Sequence, residues 1–154
     1  MAGEEGGGRW LEVRRHLRAP WQFVFSQWTE PHELAAWFGP VGFKVAAHRI
    51  EAFEGGSWWM VLRTPTGREL TVGGRFLLID PPERLRFTWV PETEGQPGAE
   101  TEVELTLAPD QGTTRLRLRH GPLDSQAQVD SYRKTWRSIL DNLVLKLTEE
   151  GANN

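Results

Sequence analysis

Three side chains in this sequence could carry acid–base chemistry: His120, Glu51 and Tyr132. A titratable group held in a water-poor site can have its pKa moved toward neutrality, which suits a general acid or base. Each also has a structural interpretation: a hydrogen-bonded histidine, a carboxylate that binds a turn, and a core ring whose hydroxyl has a partner. The sequence pattern does not bring two of them together. We therefore assign no catalytic residue.

Metal and cofactor chemistry lacks the residues that it needs. The four histidines, His16, His32, His48 and His120, fall on separate predicted elements without a two-histidine spacing, and the sequence has no cysteine. A thiolate metal site, a disulfide and a cysteine nucleophile are therefore excluded. Walker-type loops, dinucleotide fingerprints and the G-x-S-x-G elbow do not occur either. We expect no metal and no cofactor.

Aromatic residues are unusually frequent, with eight Trp and seven Phe. Their flat apolar faces suit a site for a small hydrophobic ligand, although most buried aromatic side chains only fill a core. The alternation of apolar and polar residues along strands, and the recurrence of apolar residues every three or four positions along helices, place many of these aromatic residues on inward faces. The predicted ligand-binding residues are Trp37, Phe38, Trp58, Met60, Phe76, Phe87, Trp89, His120, Tyr132 and Trp136.

A strand and two short helices at the start of the chain must position the first of these residues. Alternating apolar and charged residues over 10–17 predict the strand. Apolar residues recur at helical spacing over 21–28, directly after Pro20, and predict a short helix. Thr29 is placed to cap a second short helix, which stops at Gly39. We expect the two helices to close one end of the space inside the sheet.

Six more strands are predicted between Phe43 and Arg119, because turn residues divide this stretch at short intervals. Connections this short favour antiparallel neighbours. Each strand has one apolar face. In one of them, for example, Trp58 and Met60 point inward and the residue between them, Trp59, points outward. The outward face carries rows of arginines, Arg84, Arg86, Arg115, Arg117 and Arg119.

A long amphipathic helix is predicted over 125–148, starting with a Ser-x-x-Gln capping box. Its apolar stripe runs for about five turns and needs an apolar surface of equal length, which only the inner face of the sheet can supply. The fold class is therefore α+β, a helix-grip fold: a curved antiparallel sheet of about seven strands wraps around the C-terminal helix, with two short helices after strand one. A straight helix touches a curled sheet along a line, which leaves room for a cavity. We assign 9–149 to one domain and expect 1–8 and 150–154 to be disordered.

The balance of charge disfavours nucleic acids and membranes as partners. Lys and Arg total 18 against 21 Asp and Glu, a formal net charge of -3. Without a basic excess there is little to neutralise phosphates or anionic lipid. The acidic, Gly-rich segment 1–8 lacks the apolar core of a signal peptide or anchor. We expect a cytoplasmic protein that binds neither nucleic acid nor membrane, with its outward arginine face either solvated or buried in a homodimer.

A run of residues in the first quarter of the chain carries a family likeness. It consists of Ala19-Pro20, Val24-Phe25, Trp28-Thr29-Glu30-Pro31, Leu34 and Trp37-Phe38-Gly39-Pro40. The chain resembles the activator of heat-shock protein 90 ATPase homologue family, within the START-like (SRPBCC, Bet v-like) helix-grip superfamily. The run looks like that family's signature of Ala-Pro, Val-Phe, Trp-Thr-Asp-Pro and Trp-Trp-x-Pro. Later matches in order are Gly55-Gly56 with Trp58, Gly74 with Phe76, Asp80 to Leu85 with Phe87 to Trp89, His120 and Trp136.

The resemblance implies a helix-grip fold over 11–147 and more than one function. Such proteins include ligand carriers and cochaperone domains, and the wider fold includes polyketide cyclases. It implies first a small hydrophobic ligand held between sheet and helix. A cyclase- or hydrolase-type enzyme and a cochaperone-like domain that binds a chaperone stay open as alternatives. Two positions depart from the pattern: Leu78 replaces a frequent carboxylate, and Thr135 replaces a frequent Gly, which is expected to narrow the pocket.

Overall fold

The computed structural model describes the backbone of residues 8–152 and the side chains of residues 8–149. Of the segments expected to be disordered, 1–7 and 153–154 lie outside the described residues, and 150–152 belong to the last helix. The order of strand, two helices, strands and helix is the predicted one. In chain order the elements are β1 (Arg9–Leu17), α1 (Trp21–Thr29), α2 (Pro31–Trp37), β2 (Lys44–Ile50), β3 (Ser57–Arg63), β4 (Glu69–Asp80), β5 (Arg84–Thr93), β6 (Gln96–Pro97), β7 (Thr101–Asp110), β8 (Thr113–Leu123) and α3 (Gln126–Ala152).

All strands belong to one antiparallel sheet with the order β1-β8-β7-β5-β4-β3-β2. The two-residue β6 pairs with β5 beside this path and is the one strand not predicted from the sequence. Short turns join β2 to β3, β3 to β4 and β4 to β5, as the turn residues predicted. The first and last strands, β1 and β8, are paired at one edge of the sheet.

The two short helices begin at prolines. Pro20 is the N-cap of α1, and α2 starts at Pro31 with Glu30 as its N-cap. The prediction that Thr29 caps α2 is wrong, because Thr29 is the last residue of α1 and its hydroxyl donates to the Phe25 carbonyl at 3.3 Å. The proline at the first helical position has no N–H to satisfy and a fixed φ, so α2 starts without a side-chain cap.

The long helix α3 lies against β1, β8 and α2. Ser125 Oγ accepts the Gln128 N–H at 3.1 Å, and Gln128 Oε1 accepts the Asp124 N–H at 2.8 Å, so the predicted capping box forms with its return bond one residue early. Within the described chain, no helix combines the length and apolar character needed to cross a membrane. The buried stripe of α3 consists of Val129, Trp136, Ile139, Leu140, Leu143 and Leu147.

The two faces of the sheet differ as the alternation predicted. The concave face and the helices enclose the hydrophobic core, whereas the convex face carries charged side chains. Each outward arginine lies beside a carboxylate, which makes the convex face a mixture of both charges rather than a positive surface. The pairs are Arg84–Glu104 at 2.8 Å, Arg86–Glu102 at 2.8 Å, Arg115–Asp110 at 3.0 Å, Arg117–Glu12 at 3.0 Å and Arg119–Glu104 at 3.8 Å.

Candidate functional site

An aromatic cluster occupies the concave side where α3 crosses the sheet. We use this name for Phe38, Trp58, Phe87, Trp89 and Trp136, which come from the end of α2, from β3, from β5 and from α3. Ring centroids lie 5.2 Å apart for Trp89 and Trp136, and 6.0 Å apart for Phe38 and Trp136. Trp58 lies 5.7 Å from Phe87 and 5.9 Å from Trp89. These tilted and edge-to-face contacts are the favoured aromatic arrangements, and they fill most of the space between sheet and helix.

A close approach of β4 to β5 positions Phe87 of the cluster and its neighbour Phe76. A Cβ on Gly74 would lie only 2.1 Å from the Thr88 carbonyl oxygen, so a glycine is required at this position. The Thr88 hydroxyl accepts the Arg75 N–H at 2.8 Å, and the register of the two strands shifts after Phe76. Just beyond, Phe76 and Phe87 are directly opposite each other and both point into the core.

The ten residues predicted to bind a ligand divide into three groups in the structure. Phe38, Trp58, Met60, Phe76 and Phe87 line one small cavity. A second group, connected by hydrogen bonds and ring contacts, contains Trp89, His120, Tyr132 and Trp136. Of these four residues only Tyr132 is partly exposed. The remaining residue, Trp37, contacts Trp28 and Phe38 and does not line this cavity.

The cavity has a volume of only about 20 Å³, enough for about one water molecule. Ligand pockets usually measure several hundred Å³. The large cavity expected between sheet and helix is therefore not confirmed, because the aromatic cluster occupies that space. Trp28, Leu34 and Leu85 also line the cavity and were not among the predicted ligand-binding residues, although their spacing in the sequence marks them as inward.

Two tryptophans that line this cavity have indole N–H groups without an acceptor. Nε1 of Trp28 and Nε1 of Trp58 are buried and donate to no atom of residues 8–149. A buried donor without a partner costs on the order of 1–3 kcal/mol. The other three buried tryptophans do donate: Trp37 to the Gln27 carbonyl at 3.2 Å, Trp89 to the Tyr132 hydroxyl at 3.3 Å, and Trp136 to His120 Nδ1 at 2.9 Å.

His120 is fully buried and is the centre of a chain of hydrogen bonds. Because the Trp136 N–H donates to Nδ1, the ring proton is on Nε2, which donates to Thr101 Oγ1 at 2.7 Å. The Thr101 hydroxyl in turn donates to the Trp89 carbonyl at 3.2 Å. Burial lowers the pKa of His120 to about 3, so the ring is neutral at physiological pH. Both nitrogens are used by the protein, as in the structural interpretation.

The other two titratable candidates are far less buried. The Tyr132 ring lies 4.7 Å from the His120 ring, and its hydroxyl accepts the Trp89 N–H. Glu51 follows β2, and its carboxylate accepts the Ser57 hydroxyl at 3.0 Å and the Ser57 N–H at 3.4 Å. These hydrogen bonds lower the pKa of Glu51, so the carboxylate is ionised and holds the turn before β3. In the described part of the chain, no three His, Cys, Asp or Glu side chains gather as a metal site would require.

A surface groove of about 710 Å³ lies between α2, the start of β2 and the second half of α3. Phe38 lines this groove as well as the cavity. At its edge Lys146 Nζ donates to Glu33 and to the buried Gln27, which ties α3 to both short helices. The groove is lined by Ala35, Ala36, Trp37, Phe38, Gly42, Phe43, Lys44, Val45, Asn142, Leu145, Lys146 and Glu149.

The helix-grip class of START-like proteins is defined by a curved antiparallel sheet that holds a long C-terminal helix, with two short helices after strand one, and this chain has that architecture. The fold of this class is generally ligand-binding. Residues 18–147 match the family described as "Activator of Hsp90 ATPase homolog 1-like protein". Since the match spans most of the sequence, this chain belongs to that family. The fold and the family predicted from the sequence are both confirmed.

Solved structures show the same fold over nearly the whole chain. The AHSA1 protein from Silicibacter pomeroyi superposes with a TM-score of 0.86 at 27% identity, covering 92% of this chain and 99% of that one. A protein from Chromobacterium violaceum superposes with a TM-score of 0.81 at 27% identity, covering 90% of this chain and 96% of that one. DynU16, from the dynemicin biosynthetic locus, gives 0.71 at 23% identity, covering 90% of this chain and 47% of that one, and supports the fold alone. No curated protein matches the sequence significantly.

Proposed function

We propose that this protein binds a small apolar molecule beside the aromatic cluster and that the molecule enters when Phe38 is displaced. One observation carries the proposal: the Phe38 side chain lines both the cavity of about 20 Å³ and the groove of about 710 Å³. Movement of this one ring would join the two volumes into a site of the size that small ligands occupy. The general ligand-binding role of the fold supports the same function.

The backbone after Phe38 is anchored to α3, so the proposed displacement is a movement of the Phe38 ring. Phe38 is the C-cap of α2, and the next residue, Gly39, has a φ of 112°, a conformation that favours glycine. The side chain of Asn142 donates to the Gly39 carbonyl at 2.8 Å, and the Val41 N–H donates to Ser138 Oγ at 2.8 Å. Phe38 therefore lies at the end of a helix, in a segment that polar side chains of α3 hold in place.

The lining of the cavity matches an apolar ligand. Apart from the two indoles, its side chains carry neither nitrogen nor oxygen. A ligand there would gain mainly from apolar surface removed from water, about 25 cal/mol for each Å². It would also replace the contacts that Phe38 now makes with Trp89 and Trp136, so the displaced ring would not leave an empty space behind.

The two alternatives have less support. A cyclase- or hydrolase-type enzyme needs a polar group that is free to exchange a proton with the bound substrate, whereas His120 is neutral and uses both nitrogens within the protein. A cochaperone role is suggested by the description of the family and by no feature of the site. Ligand binding is therefore the proposed function.

Native mass spectrometry of freshly purified protein tests the proposal directly. We expect a species heavier than the 17.6 kDa chain by the mass of a small molecule that is released on denaturation. In parallel, the apolar dye Nile red is titrated into the parent and Phe38→Ala, and we expect the variant to bind it more tightly because the ring that lines both cavity and groove is gone.

The matched control is Phe23→Ala, since Phe23 is a partly exposed ring on α1 that lines neither the cavity nor the groove. Its dye affinity should equal that of the parent. Thermal melts establish that both variants are folded. No retained mass, together with equal and negligible dye binding by all three proteins, would contradict the proposed function.

A further inference from the structure

The two indoles without acceptors are the two that line the cavity. Trp28 and Trp58 are 2% and 5% exposed, and neither Nε1 donates to any protein atom in the described range. The buried indoles outside the cavity, Trp37, Trp89 and Trp136, all have acceptors. Buried donors in native proteins are nearly always paired, so two exceptions at one small cavity require an explanation.

Among the side chains that line the cavity, the two indole N–H groups are the only hydrogen-bond donors, and all the other side chains are apolar. An indole Nε1–H can only donate, and the remaining lining residues are Leu34, Phe38, Met60, Phe76, Leu85 and Phe87, whose one heteroatom is a weakly accepting thioether sulfur. A hydroxyl or amide group placed there would pair its oxygen but leave its own hydrogen without a good acceptor. A carboxylate would be a buried charge without a cation. The complementary group is an oxygen acceptor with no attached hydrogen.

We infer that the ligand is an apolar ketone or ester whose carbonyl oxygen enters the cavity and accepts hydrogen bonds from Trp28 and Trp58. This inference rests on the proposed function and names the chemical class of its ligand. The volume of about 20 Å³ accommodates one such oxygen. The apolar remainder of the molecule takes the place of Phe38 and extends toward the groove, which Phe38 also lines.

Matched pairs of small molecules test this inference. Each methyl ketone in a series of roughly six to eleven carbons is compared with the alkene in which a CH₂ group replaces the carbonyl oxygen, a change that keeps the shape and removes the acceptor. Binding is followed by the indole ¹H–¹⁵N signals of uniformly labelled protein, with Trp28 and Trp58 assigned from Trp28→Phe and Trp58→Phe. A new hydrogen bond moves an indole proton signal downfield, which packing alone does not do in a consistent direction.

We expect the ketones to bind more tightly than their alkenes, by about fivefold for each hydrogen bond formed. The signals of Trp28 and Trp58 should move downfield with ketones and not with alkenes. In Trp58→Phe the preference for ketone should fall by about fivefold. The change in alkene affinity of that variant measures the effect of the smaller ring. The ratio of its ketone affinity to its alkene affinity therefore isolates the contribution of the Trp58 N–H group.

Trp59→Phe is the matched control, because Trp59 is the neighbouring residue on β3 and is 40% exposed on the opposite face. It should leave the ketone preference unchanged. Equal binding of ketones and alkenes, with no downfield movement of the two signals, would overturn the inference and leave the proposed function intact. If neither series binds, the inference and the proposed function fail together.

Discussion

At the scale of single residues, His120 shows how an inward titratable group can be structural. Its position at the end of β8 matches the prediction of an inward side chain, and it is fully buried. The donor Trp136 and the acceptor Thr101 together satisfy both ring nitrogens of the neutral form. Protonation would place a second N–H against the Trp136 donor and a charge in the core. The same contacts that order the ring therefore keep it neutral.

The buried histidine predicts how stability depends on pH. The pKa of His120 is about 3 in the folded protein against an ordinary 6.5, so between these values the unfolded chain binds a proton that the folded protein does not. Its contribution to stability is fully present above pH 6.5 and is lost as the pH falls. We expect the free energy of unfolding to drop by about 1.4 kcal/mol for each pH unit below 6.5.

Urea denaturation at a series of pH values measures this slope. The interval from pH 6.5 to 4.5 is the informative one, because Glu12, Glu33 and Glu51 have pKa values lowered from 4.5 and lose their stabilising contributions only below that pH. His120→Gln should show a shallower slope, whereas His32→Gln, which changes an exposed histidine, should retain that of the parent. Equal slopes in the parent and His120→Gln would show that His120 is not the group responsible.

At the scale of elements, α3 is held to the sheet by its buried stripe. Trp136 is completely buried in the middle of this stripe and contacts Phe38, Trp89 and His120. The helix therefore connects the end of α2 with β5 and β8 through one side chain. This position explains why the aromatic cluster and α3 form a single packed unit.

Trp136→Ala should lower the free energy of unfolding by about 3–5 kcal/mol, because it leaves a cavity in the core and removes the donor to His120. Thermal or chemical denaturation measures the change. Leu145→Ala on the same helix is the control, since Leu145 is 56% exposed and its loss should change stability by less than about 0.5 kcal/mol. Similar melting of Trp136→Ala and the parent would mean that α3 does not pack as described.

At the scale of the whole molecule, pairing of charges decides what the convex face can bind. The five outward arginines are all near carboxylates of neighbouring strands, and the formal net charge is -3. Exposed pairs of this kind add little to stability. Their main effect is to cancel the positive potential that the arginines would otherwise produce together.

We therefore expect no measurable binding of duplex DNA or of RNA at about 0.1 M salt, in a fluorescence anisotropy titration. The double variant Glu102→Gln, Glu104→Gln removes the carboxylates beside Arg84, Arg86 and Arg119 and should introduce weak binding that disappears as salt rises. Tight and steeply salt-dependent binding by the parent would overturn this expectation.

Most of the fold could be predicted from local sequence patterns. Alternation placed Trp58 and Met60 inside and Trp59 outside, because the side chains of a strand point to opposite faces in turn. Short turns predicted the antiparallel pairing, and the apolar stripe predicted α3 and the surface that it needs. Local reasoning erred at Thr29 because two helices follow each other there, and a residue that could cap the second is still part of the first.

The candidate site depended on the tertiary structure. Local spacing shows that Phe38, Trp58, Trp89 and Trp136 point inward, but it does not show whether rings from four separate elements leave a large cavity or fill it. That outcome depends on their mutual distances and rotamers, which close packing sets for all of them at once. The same holds for the unpaired N–H groups of Trp28 and Trp58, since the acceptor of a buried donor comes from whichever distant element folds against it.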